Sequence, residues 1–216
     1  MSYTKTTSIE TEEISFKYIL RNIWTRQRHV VRMIQEYDYS KYQWLLLCAG
    51  SLASTLNRAQ QKGISDSTSA ASFAIGRLLL PALVGVVFYY ILSFAIATTG
   101  KLLKGEAYTD SVIRLIAYAQ IPAVIGLIMT LPWIAVYGLD FFREGLLTDS
   151  NMAVMILFWI YRITNTILAL YIAVFMVVGL AEIQHFSIWK AIVNFALPVA
   201  VIVLLFALLA LPATCR

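Results

Sequence analysis

The sequence predicts an all-α fold: a polytopic membrane protein, with a bundle of five transmembrane helices preceded by a basic amphipathic interfacial helix. Three observations carry that expectation. Four long stretches, Leu78 to Gly100, Leu115 to Leu139, Ile163 to Ala181 and Ala191 to Cys215, contain no Asp, Glu, Lys or Arg. Crossing a bilayer core takes roughly 20 apolar helical residues, and these stretches are long enough. Charged residues make up only 13% of the 216-residue chain, against about 25% in a soluble domain, and they gather between the apolar stretches. Ahead of the first stretch, apolar and basic residues recur at helical spacing.

The elements follow in order. Residues 1–13 are rich in Thr, Ser and Glu and predict a flexible tail. Residues 14–40 form the cytoplasmic or interfacial helix. Its apolar positions are Phe16, Leu20, Ile23, Val30, Ile34 and Tyr37, and Lys17, Arg21, Arg28 and Arg32 fall largely on the other side. Such a helix either lies in the membrane interface or packs under the bundle, and both readings stand. A break near Thr25 is compatible with either. Residues 41–212 hold the spans. The first, Tyr42 to Leu56, is short: fifteen helical residues rise about 22 Å against a core of about 30 Å. The second runs from Leu78 to Thr99. The third runs from Thr109 to Tyr137, with Thr109 or Asp110 as its N-cap. The fourth covers Met152 to Leu180, and the fifth Ala191 to Leu211.

Charge sets the orientation. With a cytoplasmic N-terminus, the inner segments hold eleven Lys and Arg and the outer segments five, with Arg162 inside a span. The positive-inside rule then puts the N-terminus in the cytoplasm and the C-terminus outside. The formal charge of +5 sits mainly at span ends, which points to a membrane surface rather than nucleic acid. Cys48 and Cys215 have neither metal-ligand spacing nor a disulfide framework, so no metal is expected. The first 40 residues lack the continuous apolar core of a signal peptide, and the first span is expected to act as its own insertion signal.

Several strings, taken in order, resemble the Ypt-interacting protein (Yip) domain family, in its bacterial type. Ile23-Trp24-Thr25-Arg26-Gln27-Arg28 is similar to the segment leading into the family's first span, with Gln27 where bacterial members typically carry Pro. Leu79-Leu80-Pro81 resembles the Tyr-Gly-Pro region of eukaryotic members. Ala117-Tyr118-Ala119-Gln120-Ile121-Pro122 is similar to the segment opening the third span. Gly179-Leu180 and His185-Phe186-Ser187-Ile188-Trp189-Lys190-Ala191 resemble the link between the last two spans. The resemblance covers about Ile23 to Leu211. It implies a five-helix fold with a cytoplasmic N-terminus. Eukaryotic relatives bind prenylated Rab GTPases, and bacterial relatives lack such partners.

Arg162 is the most unusual residue. Counted from Met152 it lies about 15 Å along its helix, near the bilayer midplane. An Arg there costs about 2.5–3.5 kcal/mol on insertion scales and should face the bundle interior or water. No carboxylate lies at that depth in any span. Prolines inside helices free carbonyls four residues back: Pro132 frees Ile128, Pro122 frees Tyr118 and Pro198 frees Asn194. The expected partners of Arg162 are therefore the Ile128 carbonyl, Asn165 or a bound anion. Arg162, Asn165, Asn194 and Gln120 form the candidate intramembrane polar site, although Asn165 and Asn194 are more often helix–helix hydrogen-bonding groups. Gly76, Gly85, Gly126 and Gly179 suit close packing. Arg77 snorkels at a boundary. Glu182 and His185 sit together at the inner end of the fourth span, as a solvated turn before a proton shuttle. Lys17, Arg21, Arg26, Arg28 and Arg32 form the candidate lipid or partner surface.

No catalytic motif is present: neither HExxH, GxSxG nor a phosphate-binding glycine loop. No catalytic residues and no cofactors are expected. The leading functional expectation is a membrane adaptor or organiser that binds lipid, anionic lipid above all, or a protein partner at the cytoplasmic face. The alternative is a transporter or channel for a small solute, anion or lipid, with Arg162 in its path. An oligomer is compatible with either, as is an inner-membrane location if the protein is bacterial.

Overall fold

The structure is a computed structural model that describes residues 16–63, 69–143, 151–198 and 200–201. Among them the regular elements are helices. They are α1 (Phe16–Asn22), α2 (Gln27–Glu36), α3 (Gln43–Lys62), α4 (Phe73–Leu102), α5 (Thr109–Ala119), α6 (Ile121–Tyr137), α7 (Met152–Ile183) and α8 (Ile188–Pro198). Among the described residues three apolar segments are long enough to cross a membrane: Phe73–Leu102, Thr109–Phe142 and Met152–Ile183. α8 is a shorter apolar helix, and most of the expected fifth span, like the 1–13 tail, lies outside the described residues.

The first helix pair is broken where the sequence allowed. α1 ends at Asn22, whose carbonyl accepts from the Arg26 N–H at 2.8 Å, and α2 begins at Gln27. Both turn their apolar side to the bundle: Ile19, Ile23, Val30, Val31 and Ile34 are buried in the main core with Phe175, Met176 and Leu180 of α7. Within residues 16–36 the buried positions therefore pack on the bundle, while Leu20 and, just beyond α2, Tyr37 stay exposed. Apolar surface spent on a protein core is not available to lipid.

Four boundaries differ from expectation, each for a physical reason. α3 runs to Lys62, not Leu56. Its last turns pack against Phe73, Phe141 and Phe142, so Leu56 and Ala59 are buried in protein and the polar residues between them cost little. α4 opens as a π-helix, Phe73–Leu79. Pro81 has no N–H to offer the carbonyl four residues back, and a wider turn accommodates that loss. The third segment splits at Gln120: α5 stops at Ala119 and Pro122 sits in the first turn of α6. Pro122 thus starts a helix, where its missing N–H is harmless, instead of kinking one. Thr109 and Asp110 lie inside the first turn of α5 and make no cap, and Tyr108 occupies the cap position.

A second cluster closes the end opposite the α1–α2 pair. Trp133 stacks on Phe141 at 5.9 Å and meets Phe158 edge-on at 5.7 Å, while Phe73 and Phe142 lie 4.7 Å apart. Below it the Thr130 and Tyr161 hydroxyls bond at 2.9 Å, tying α6 to α7.

Three helices end on a non-glycine residue with left-handed backbone: Asp38 after α2 (φ 47°), Lys104 after α4 (φ 66°) and His185 after α7 (φ 52°). At each, the next N–H reaches back five residues: Tyr39 to Ile34, Gly105 to Gly100 and Phe186 to Ala181. This is the Schellman closure, where glycine is the unstrained residue. Replacing the exposed Lys104 by Gly should raise stability by about 1 kcal/mol. A higher thermal midpoint of the detergent-solubilised protein checks it.

Candidate functional site

The α1–α2 pair is built as a clasp over α7 and α5. Arg32 donates to Glu182 Oε1 from Nε at 3.0 Å and from Nη2 at 2.5 Å. The hydrogen bond and charge of Glu182 raise the Arg32 pKa further above its already high ordinary value. The Tyr171 hydroxyl donates to the Ile23 carbonyl, and Trp24 packs on the Tyr171 ring with centroids 4.8 Å apart. Residues 23–32 therefore run alongside α7 from Tyr171 to Glu182. On the other flank, Gln35 Nε2 donates to the Ser111 carbonyl at 2.8 Å.

Arg114 closes the clasp. Its Nη1 donates to Asp38 Oδ1 at 2.6 Å, to Gln35 Oε1 at 3.3 Å and to the Ile34 carbonyl at 3.5 Å. The cation thus sits at the C-terminal end of α2, beside the Ile34 carbonyl, where the helix dipole is negative. Sequence reasoning counted Arg114 only as an inner positive charge. Its place one turn inside an apolar helix was the overlooked signal.

With its apolar side and Arg32 engaged, the clasp leaves Lys17, Arg21, Arg26 and Arg28 exposed. Beside them a groove of about 280 Å³ is lined by Arg32, Gln35, Glu36, Ser111, Glu182, Ile183 and His185. Glu182 and His185 do come together there, but Glu182 is engaged by Arg32. Among the described residues no group of His, Cys, Asp and Glu could hold a metal.

The four residues expected to form an intramembrane polar site lie at separate helix contacts. Arg162 Nη1 donates to Gln60 Oε1 at 2.7 Å, joining α7 to the last turn of α3. That partner replaces the expected Ile128 carbonyl and Asn165. It also places Arg162 level with the polar end of α3, which holds Asn57, Arg58, Gln60, Gln61 and Lys62. The mid-depth expectation counted from Met152, but α7 has 32 residues and rises about 48 Å, more than a bilayer core. Asn165 donates to the Tyr161 carbonyl at 3.1 Å and faces Gly126 of α6. Asn194 is fully buried and accepts from Thr99 of α4 at 2.6 Å. Gln120 is buried against Gly50 of α3, where a Cβ would lie 2.5 Å from its Cγ. These are stitches between helices.

One further polar residue matters and was not anticipated. Gln184 is 1% exposed, and its Oε1 accepts from the Ala107 N–H at 3.2 Å. It fills a slot against Gly100 and Gly105, where any Cβ would overlap its amide. It locks the α7 end to the α4–α5 link.

Residues 22–209 match a family model described as the Yip1 domain. No curated protein and no solved structure matches the chain.

Proposed function

The chain belongs to the Yip1 domain family, and from that premise we propose that it is a membrane adaptor whose basic N-terminal face binds anionic lipid headgroups or an acidic protein partner at the cytoplasmic side. The observation that carries the reading is the division of labour within α1–α2. Their apolar side is consumed by the bundle core, Arg32 is consumed by Glu182, and Lys17, Arg21, Arg26 and Arg28 are left outward. A patch of one sign on an ordered backbone recruits its opposite more effectively than a mobile tail, because less ordering entropy is lost on binding.

The same reading takes five spans with the N-terminus in the cytoplasm and the C-terminus outside. It treats residues 14–40 as the cytoplasmic module, residues 41–212 as the membrane domain, and the chain as a bacterial-type member. The family is generally one of non-enzymatic membrane trafficking proteins, and a non-enzymatic role fits the lack of any catalytic motif. Transport with Arg162 in the path draws less support, since Arg162 is engaged by Gln60 at the polar end of α3.

A photo-crosslinker at Arg28 in native membranes tests the proposal. Adducts with anionic lipid or a cytoplasmic protein are expected. They should vanish when Lys17, Arg21 and Arg26 are changed to Gln. Adducts that survive neutralisation, or none at all, would sink it.

A further inference from the structure

A second groove, of about 390 Å³, lies between α3 and α4 at the opposite end from the clasp. One wall is Ser51, Ser54, Thr55 and Arg58, which share a face of α3 at helical spacing. The other is Pro81, Val84, Gly85, Phe88 and Tyr89 of α4. The helices run antiparallel here: Trp44 meets Tyr90 with ring centroids 5.5 Å apart, and Ser51 Oγ donates to the Ala82 carbonyl at 2.7 Å. Gly85 lets Ser51 approach, and any Cβ there would overlap its hydroxyl. One wall is therefore polar and ends in a cation, while the facing wall is mostly apolar.

The surroundings say what the groove faces. On the same helix Leu79, Leu80, Leu83, Val84 and Val87 are all more than half exposed, as expected of a side turned to acyl chains. Arg58 is exposed within this belt, and among the described residues it has no carboxylate partner. Arg77 joins it at the same level. Seven residues separate Arg58 from Ser51, about 10 Å of rise. Seven residues back from Gly85 reaches Leu78, beside Arg77. Two guanidinium groups with no carboxylate partner among the described residues, at the edge of a lipid-facing belt, suit an anion that comes with an apolar body.

We propose that this groove is a binding site for one anionic phospholipid. Arg58 takes the phosphate through its N–H fork, with Arg77 adding positive potential at the rim. One acyl chain descends along Val84 and Phe88. A free phosphate ion would use the same cation but leave the apolar wall unfilled, so the lipid is the occupant the two walls together select.

The test is native mass spectrometry of the full chain purified in detergent with added phosphatidylglycerol or phosphatidylcholine. Wild type should retain phosphatidylglycerol selectively. Arg58→Gln should lose about tenfold in retention, the size of one charge-assisted contact. Arg58→Lys should keep part of it, and Val84→Trp, which fills the groove, should weaken both lipids. Lys62→Gln, one turn further on, should change nothing. Melting curves of each variant separate misfolding from lost binding. Equal retention by wild type and a folded Arg58→Gln overturns the site. Displacement of the lipid by inorganic phosphate alone would overturn the lipid assignment.

Discussion

Replacing Arg114 by Ala should cost about 2–3 kcal/mol of stability, the largest effect expected of any single charge in the protein. Its guanidinium is 11% exposed and serves three acceptors on the α2 end. Removal takes the positive charge from the α2 C-terminus and leaves Gln35 with only its bond to Ser111. The partner in the ion pair behaves differently. Asp38 is 83% exposed, so Asp38→Asn, which keeps a side chain tolerant of the left-handed backbone at φ 47°, should cost under about 1 kcal/mol even though it removes the charge from the shortest of the three contacts. Thermal unfolding in detergent distinguishes the two. Similar losses would mean that the ion pair, not the capping, holds α2. Hydrogen exchange adds a local readout: Arg114→Ala should release protection in residues 27–36 ahead of α6 and α7.

Gly100→Ala and Gly105→Ala should each destabilise by about 2–4 kcal/mol, more than small-to-large changes usually do. In both, the new methyl overlaps the Gln184 amide, and the amide is buried and bonded to the Ala107 N–H. The side chain cannot swing away without leaving that N–H unpaired. Gln184→Ala alone should also be destabilising. In that background, however, the Gly100→Ala penalty should shrink by at least about 1 kcal/mol, because the two sites share one slot. Additive losses would show that the glycines are needed for backbone approach alone.

Length and charge made the long spans legible. A stretch such as Leu78 to Gly100, free of charge and flanked by Arg77 and Lys101, has one economical reading in a bilayer. The apolar stripe of α1–α2 was equally visible, and the basic residues opposite it do face outward. What surface absorbs that stripe was not legible, because lipid and a packed helix offer the same apolar medium. α3 shows a second limit. Hydropathy ended it at Leu56, while tertiary contacts with Phe73, Phe141 and Phe142 carry it six residues further. That truncation also hid the partner of Arg162. A search of the spans for a carboxylate or a freed carbonyl cannot find Gln60 if Gln60 has been assigned to a loop. The π opening of α4 has no sequence signature beyond Pro81, and Gln184 looked like any polar residue in a link.

The clasp has a consequence for how the chain is made. Arg32 and Glu182 are 150 residues apart, and Ile23 and Tyr171 are 148 apart. At synthesis rates of about 5–20 residues per second, α1 and α2 exist for roughly 8–30 s before the α7 surface that helps bury them has been translated. During that interval Ile19, Ile23, Val30, Val31 and Ile34 lack the Phe175, Met176 and Leu180 side of their core. In general, a basic helix with one apolar stripe binds an anionic membrane surface. Under the adaptor reading proposed above, the interfacial helix that the sequence suggests and the packed helix of the structure would be successive states of one segment, drawn onto α7 when that span arrives.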